Sequence, residues 1–300
     1  MKTIIPSYIK SGDTVGIVST ASFIDEALVL PAASLLEQKG YKVLMGQHVL
    51  TRHYQYAGSD LQRAADLQQM IDSPDVKAIF CSRGGYGTLR IMSMINWENF
   101  IKKPKWIVGF SDISVLHACL HKKNIASLHA VMPGHFIKNN IPSESFTKMM
   151  DVLLGNELHY EIEASVCNRS GEASGSLIGG NLSILYSLRG TEYDIDTEGK
   201  ILFIEDLSEY LYHLDRIMMN LKYGGKLSHI AALLVGSFTA MKDGATPFGK
   251  NAKEIILDAV SEYNYPVVFD FPAGHQQSNF PMKMGCMATL DAGNKVILKQ

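Results

Sequence analysis

The feature that most constrains the fold is an alternation of short apolar runs with amphipathic, helix-length segments along the first half of the chain. Short runs rich in apolar and β-branched residues predict buried strands, and apolar residues at helical spacing predict the helices between them. The predicted strands are TVGIVST from Thr14, YKVLMG from Tyr41, VKAIFCS from Val76, WIVGF from Trp106 and IASLHA from Ile125. Strands that alternate with helices are joined by right-handed crossovers into a mostly parallel sheet. The sequence therefore predicts an α/β fold.

The second half of the chain begins with a segment of different composition. The stretch after Leu154 is polar, contains Gly and Ser, and resembles a strand only weakly, which indicates a linker. Beyond it, further strands and helices alternate, including KILFIED, HIAALLVGSF and a helix over residues 252–263. We therefore predict an N-terminal α/β domain at residues 1–155, a linker at 156–175 and a smaller C-terminal α/β domain at 176–300.

Composition excludes several classes of protein. The 300 residues are 46% apolar, and 28 Lys and Arg against 30 Asp and Glu give a net charge of −2. A nucleic-acid-binding protein would need a basic excess, and a disordered chain would need fewer apolar residues. The four cysteines form no CxxC pair, which is typical of a reducing compartment. The N-terminus lacks a signal-peptide pattern, and no apolar run is long enough to cross a membrane, so we predict a cytoplasmic protein.

The segment WIVGFSDISVLHACL predicts a strand, a tight turn and a helix, with Ser111 at the turn. Open α/β sheets bind ligands at the carboxyl ends of their strands, where backbone N–H groups and the helix dipole converge. A serine there suits a nucleophile, and the amide of Asp112 can face a developing oxyanion. The G-x-S-x-G pattern is not met, because Ile113 takes the place of the second Gly. The alternative is that Ser111 or Asp112 caps the helix.

A glycine-rich loop, CSRGGYG, follows the predicted strand that starts at Val76. Glycines permit positive φ and close backbone approach, so this loop predicts either an oxyanion donor or a tight strand-to-helix turn. Neither the G-x-G-x-x-G pattern nor the P-loop lysine is present, so nucleotide binding is not indicated. A zinc site is not indicated either, because Ala118 follows His117 where a metalloprotease motif has glutamate.

Candidate acid–base residues stand in the second half. Glu205 and Asp206 stand at the end of the predicted strand KILFIED, and Glu209 lies four residues after Glu205. His275 lies in a loop rich in Pro and Gly, where an exposed imidazole suits a general base near neutral pH. A carboxylate at a strand end can orient such a histidine or cap a helix, so both interpretations stay open.

Five motifs together resemble the LD-carboxypeptidase family of serine peptidases, which also contains the microcin C self-immunity peptidases. In chain order they are SRGGYG, VGFSDIS, LHAVMPG, FIEDLSEYLYHLDR and GHQQSNFPMKMG, and they span most of the chain. The resemblance implies a flavodoxin- or Rossmann-like N-terminal domain and a smaller C-terminal α/β domain. It also implies that the protein needs neither metal nor cofactor and forms a homodimer.

The resemblance also implies roles for individual residues. It implies a triad of Ser111, His275 and Glu205, with Glu209 left as a second candidate partner for the histidine. The implied oxyanion donors are the backbone amides of Asp112 and Gly85. Further candidate substrate-binding residues in the matching motifs are Arg83, Gly84 and His129.

The implied substrate is a murein tetrapeptide, cut at the L,D-amide bond that holds its terminal D-Ala, in peptidoglycan recycling. One alternative is the microcin-type hydrolysis of acyl-sulfamoyl adenylates. Relatives with that activity stack the base on an aromatic ring in a longer loop, and Trp97 and Trp106 both lie near the predicted catalytic strand instead. A second alternative is a non-catalytic protein that binds a small ligand between two α/β domains.

Overall fold

The structure, a computed structural model, describes residues 3–300 and divides into two compact units. The first unit extends from the first described residue to Asn156 and also includes Phe280–Lys283. The second unit consists of Glu157–Asn279 and Met284–Gln300. Within residues 3–300, no helix has both the length and the apolar composition needed to cross a membrane.

The first unit is built from alternating strands and helices. Its strands up to residue 156 are β1 (Thr14–Val18), β2 (Lys42–Met45), β3 (Val76–Cys81), β4 (Trp106–Gly109), β5 (Ser127–His129), β6 (Ile137–Lys138) and β7 (Ile141–Pro142). Its helices are α1 (Glu26–Gln38), α2 (Asp60–Asp72), α3 (Thr88–Ile91), α4 (Glu98–Lys102), α5 (Ser114–Lys122) and α6 (Glu144–Leu153). Local sequence explains where they begin: Ser59 and Gln62 form a capping box at the start of α2.

The second unit has strands of both orientations. Its strands are β8 (His159–Glu163), β9 (Glu172–Asn181), β10 (Ile201–Leu207), β11 (Ala232–Thr239) and β12 (Val267–Val268), followed after β13 (Met282–Met284) by β14 (Met287–Ala292) and β15 (Lys295–Lys299). Its helices are α7 (Leu182–Ser187), α8 (Leu211–Tyr223) and α9 (Ala252–Ala259). The last helix was expected to continue to Tyr263 and ends four residues earlier.

The sheet of the first unit has the order β13-β5-β4-β3-β1-β2, and β1 to β5 pair in parallel. Apart from the added edge strand, this is the 2-1-3-4-5 order of flavodoxin-like folds. The sheet of the second unit has the order β12-β11-β10-β9-β14-β15-β8, in which β9 to β12 are parallel and the rest antiparallel. The predicted α/β class with mostly parallel strands is confirmed.

The domain boundaries differ from those expected in two places. Residues 156–175 do not form a linker, because β8 lies in this segment and pairs with β15, and β9 begins at Glu172. Alternation of exposed polar and buried residues makes such edge strands look polar in sequence. Residues 280–283 belong to the first unit, although the sequence assigned them to the second, since β13 joins the edge of the first sheet beside β5.

His117 on α5 is buried and ties that helix to the sheet. Its Nε2 donates to the carbonyl oxygen of Gly109 at 3.0 Å, and its Nδ1 accepts from the Ser127 hydroxyl at 2.8 Å. A carbonyl oxygen can only accept, which fixes the proton on Nε2. Burial lowers the pKa of His117 from 6.5 to about 4, against the opposing effect of the Gly109 hydrogen bond. His117 is therefore a structural residue, neutral in the folded protein.

Acid should destabilise the protein through His117. The pKa of this group is lower in the folded than in the unfolded chain, so its contribution to stability is complete above pH 6.5 and is lost as pH falls toward 4. Between pH 7 and pH 5 the loss is about 2 kcal/mol. We expect His117→Gln to remove this part of the acid sensitivity, as measured by urea unfolding at the two pH values. The same pH dependence in variant and wild type would contradict the assignment.

Candidate active site

Ser111 lies at a strained turn in the first unit. It follows β4 by two residues and has φ +65, a left-handed conformation that serine rarely adopts. A short 3₁₀ helix, Ser111–Ile113, then leads into α5. The N-cap position of α5 is Ile113 and carries no side-chain cap, so the interpretation of Ser111 or Asp112 as the cap is wrong. The strand, strained serine and helix match the geometry of a nucleophile elbow.

The glycine loop after β3 packs directly on this turn. A Cβ atom built on Gly84 would lie 2.8 Å from the Cβ of Ser111, 2.9 Å from its Oγ and 3.4 Å from the amide nitrogen of Asp112. Only a residue without a side chain fits at that distance. The next residue, Gly85, has φ +104, which favours glycine again. The glycine loop therefore lies directly against the Ser111 side chain and the Asp112 amide nitrogen, which is the neighbourhood in which oxyanion donors are expected.

Gly84→Ala should lower turnover by displacing the serine side chain. Misplacing a reacting group by about 1 Å costs on the order of 10²-fold in rate. We expect kcat to fall by up to that factor, measured by D-alanine release. Gly134→Ala is the matched control, because the nearest atoms to its added Cβ are 3.9 Å away. Wild-type kcat in Gly84→Ala would show that Ser111 is not held by this contact.

Asp112 fixes the glycine loop to the serine turn through its side chain. Its buried Oδ2 accepts from the amide of Thr88, which begins α3 directly after the loop, at 2.8 Å. Burial raises the pKa of Asp112, while the hydrogen bonds from Thr88 oppose that rise. Arg63 fixes the end of the loop by donating to the carbonyl oxygen of Gly87 and, on a neighbouring segment, to that of Thr20. The sequence suggested a backbone oxyanion donor or a helix cap for Asp112, not this contact to the glycine loop, and gave no sign of Arg63.

Of the two remaining substrate-binding candidates in the first unit, Arg83 is exposed and His129 is buried. Arg83 is exposed and donates to the carbonyl oxygen of Phe23 at 3.1 Å. His129, expected to bind substrate, is fully buried, with its ring 5.8 Å from that of Phe110 and 6.3 Å from that of His117. It lies in the packing behind the serine turn and offers a ligand no exposed surface.

Glu205 and His275 meet in the second unit. Glu205 lies near the carboxyl end of β10 and is fully buried, and its Oε2 accepts from Nδ1 of His275 at 2.7 Å and from the backbone amide of His275 at 3.2 Å. A carboxylate accepts, so the proton stands on Nδ1 and the imidazole Nε2 is the basic nitrogen. This is the orientation that a general base in a serine hydrolase requires.

Neighbouring residues hold the histidine segment in place. Gly274 has φ +105, and a Cβ there would lie 2.7 Å from both Glu205 Oε2 and Ser237 Oγ, so glycine is required beside the pair. The amide of Gly274 donates to Asn279 Oδ1 at 2.8 Å, and the Thr239 hydroxyl donates to the carbonyl oxygen of His275 at 2.9 Å. The imidazole is therefore presented by a fixed segment rather than by a free loop.

Glu209 has other partners. Its Oε2 accepts from Nδ1 of His213 at 2.5 Å, and its Oε1 lies 3.1 Å from the Ser183 hydroxyl oxygen, whose single proton it shares with Asp206. Of the two carboxylates left open by the sequence, the structure therefore pairs His275 with Glu205. The local reason is position: Glu205 is still within β10, beside the histidine segment, whereas Glu209 lies after the end of that strand, in the turn into α8.

Asp206, which the sequence places with Glu205 at the strand end, ties three elements together through contacts that were not predicted. Its carboxylate accepts from Asn181 Nδ2 at 3.0 Å, from the amide of Ser183 at 2.9 Å and from the Ser183 hydroxyl at 2.8 Å. Burial raises the pKa of Asp206 to about 6, with hydrogen bonds from Ser183 and Leu207 opposing and the Glu205 charge adding to the rise. The strand-end pair of carboxylates was the available signal.

A cavity of about 650 Å³ lies within the second unit, at the carboxyl ends of β11 and β12. Its walls include Ser237, Thr239, the start of α9 and Gln276, the residue after His275. Small-molecule sites occupy about 300–1,000 Å³ and favour this edge of a parallel sheet. A ligand-sized space therefore adjoins the histidine segment. Among residues 3–300, no three His, Cys, Asp or Glu side chains are grouped to hold a metal ion.

Two protein-family models match the chain. One describes the LD-carboxypeptidase N-terminal domain and matches residues 15–130; the other describes the LD-carboxypeptidase C-terminal domain and matches residues 174–290. Ser111 falls in the first match, and Glu205 and His275 in the second.

Known proteins and solved structures match nearly the whole length of the chain. The probable murein peptide carboxypeptidase of Bacillus subtilis is 33% identical over 97% of this chain and 92% of its own length. The murein tetrapeptide carboxypeptidase of Pseudomonas aeruginosa is 29% identical over 94% of each. The crystal structure of muramoyltetrapeptide carboxypeptidase from Oxalobacter formigenes gives a TM-score of 0.87 at 26% identity over 95% of this chain and 98% of that one. The structure of MccF in complex with glutamyl sulfamoyl guanosine gives 0.88 at 20% identity over 98% and 97%, a likeness of fold.

Proposed function

Because the chain belongs to the LD-carboxypeptidase family of serine peptidases, we propose that it hydrolyses the L,D-amide bond that joins the terminal D-Ala to a murein tetrapeptide. The observation that carries the proposal is the buried Glu205 carboxylate on Nδ1 of His275 at 2.7 Å. The names of the relatives from Bacillus subtilis and Pseudomonas aeruginosa support murein peptide as the substrate.

The proposed reaction begins with proton transfer from the Ser111 hydroxyl to Nε2 of His275. The serine oxygen attacks the scissile carbonyl carbon, and the amides of Asp112 and Gly85 stabilise the oxyanion. Glu205 keeps the imidazole in the required tautomer and offsets the charge of the imidazolium.

Collapse of this intermediate breaks the C–N bond and leaves the tripeptide as an ester on Ser111. The imidazolium gives its proton to the leaving amine of D-Ala. A water molecule, deprotonated by His275, then attacks the ester and frees the tripeptide carboxylate together with the serine hydroxyl. Every step uses groups of this chain and water.

A murein tetrapeptide and an aminoacyl-sulfamoyl adenosine, assayed side by side, test this function. We expect D-Ala release from the tetrapeptide and little hydrolysis of the nucleoside. Both tryptophans support that expectation, because Trp106 is fully buried and Trp97 is 9% exposed, so neither offers a face to a base. Preferential hydrolysis of the nucleoside would favour the microcin-type activity instead, and hydrolysis of neither would favour a binding protein.

Two further features belong to the same proposal. A role in peptidoglycan recycling places the enzyme in the cytoplasm, where released murein peptides are processed. The family resemblance also suggests a homodimer, which sedimentation of the purified protein would detect.

A further inference from the structure

Two exposed arginines flank one aromatic ring in the first unit. The guanidinium carbon of Arg52 lies 4.1 Å from the centre of the Phe23 ring, and that of Arg83 lies 5.9 Å from it. Arg83 also donates to the carbonyl oxygen of Phe23 at 3.1 Å. This contact engages one of the five N–H donors of a guanidinium and holds the group in place. The two guanidinium groups therefore both contact the ring of Phe23.

Among the residues that the structure describes, Arg52 and Arg83 differ from two other arginines of the first unit in having no carboxylate partner. Arg63 and Arg90 both pair with the carboxylate of Asp60. The ion pairs found within residues 3–300 include neither Arg52 nor Arg83. Two like charges held close together repel each other unless an anion lies between or beside them. The arrangement therefore favours an anionic group from outside the chain, and a guanidinium fork matches a carboxylate in geometry.

The place of Arg83 in the chain, next to the residue that packs on Ser111, suggests which carboxylate the arginines bind. Arg83 directly precedes Gly84, whose Cβ would stand 2.9 Å from Ser111 Oγ. In a carboxypeptidase the terminal carboxylate lies one residue beyond the scissile bond, a span of at most about 3.6 Å. An arginine side chain that begins one residue from the serine contact is long enough to cover that distance.

We propose that Arg83, with Arg52 beside it, binds the C-terminal carboxylate of the substrate and thereby restricts the enzyme to the last peptide bond. This inference rests on the proposed function. The carboxylate is bound in the ground state and in the transition state alike, so its loss acts mainly on KM. Arg83 belongs to the glycine-rich loop itself, and Arg52 adds a second positive charge at the same aromatic ring.

The test uses two substrates that differ in one group. The full-length enzyme is assayed on a murein tetrapeptide with a free terminal D-Ala and on the same peptide ending in D-alaninamide. We expect wild type to prefer the free acid. Arg83→Gln should lower kcat/KM for the acid by about 10- to 100-fold, the size of a lost charged hydrogen bond, and leave that for the amide within about threefold.

Three further variants complete the design. Arg216→Gln is the matched control, since Arg216 is also exposed and lies 5.3 Å from an aromatic ring, that of Tyr212, in the second unit; it should keep the wild-type preference for the acid. Arg52→Gln should shift the preference in the same direction by less than Arg83→Gln. Arg83→Lys should retain part of it, which keeps the test decisive where Arg83→Gln does not fold.

The outcomes separate the inference from the proposed function. Equal losses on acid and amide in Arg83→Gln, or a wild type that cleaves both equally, would overturn carboxylate binding while leaving the L,D-peptidase activity intact. No D-Ala release by wild type would overturn the proposed function and this inference together.

Discussion

Ser111→Ala should abolish D-Ala release, with a loss in kcat of about 10⁴-fold or more. The variant removes the atom that forms the acyl-enzyme, and no other nucleophile replaces it at the strained turn with φ +65. A residual rate above that of water is expected from the oxyanion donors and from substrate binding alone. The measurement is single-turnover release of D-Ala from a murein tetrapeptide, followed by liquid chromatography.

The control for this variant is Ser208→Ala. Ser208 is the other serine with positive φ (+57), and it lies on an exposed turn after β10. A surface substitution of this kind changes energies by about 0.5 kcal/mol or less, so its kcat should stay within about threefold of wild type. Near-wild-type turnover in Ser111→Ala, with the fold intact by circular dichroism, would refute the nucleophile assignment.

Glu205→Gln should reduce kcat by about 10⁴-fold, because the neutral amide no longer imposes the Nδ1–H tautomer on His275 or stabilises its positive charge. The substitution keeps the side-chain volume at a fully buried position, so the loss is one of chemistry rather than of packing. Glu209→Gln is the matched comparison, since Glu209 contacts His213 and Ser183 instead. We expect Glu209→Gln to cost less than about tenfold.

Steady-state kinetics with the tetrapeptide measure both variants, and thermal unfolding verifies that both are folded. The reverse order of effects, with Glu209→Gln the more damaging, would show that the contact at 2.7 Å between Glu205 and His275 is not the functional one. Small and equal losses of kcat in both variants would show that neither glutamate takes part in the mechanism.

The first sheet could be predicted well from the sequence, because β1, β3 and β4 are buried on both faces and appear as continuous apolar runs. The edge strands could not. β8 alternates exposed and buried residues and lies in a segment with polar composition. β13 is three residues long and joins the first sheet from the far end of the chain, a long-range pairing with no local signal.

The candidate site, like the sheet, could be predicted only in part from the sequence. Local patterns made Ser111, Glu205 and His275 candidates, and the resemblance to the LD-carboxypeptidase family implied that they act as a triad. What distinguishes Glu205 from Glu209 is a distance, which depends on the course of the backbone after β10. The close packing of Gly84 on Ser111 and the burial of His129 likewise depend on tertiary structure, since the local sequence does not show which distant residues pack against either one.

The most direct test of a serine acyl-enzyme mechanism is rapid chemical quenching of wild type with a murein tetrapeptide, followed by peptide mass mapping. The account predicts a tripeptide ester, carried by the peptide that contains Ser111 and absent from Ser111→Ala, whose formation coincides with a burst of free D-Ala. D-Ala release without any adduct, or an adduct on another residue, would contradict it.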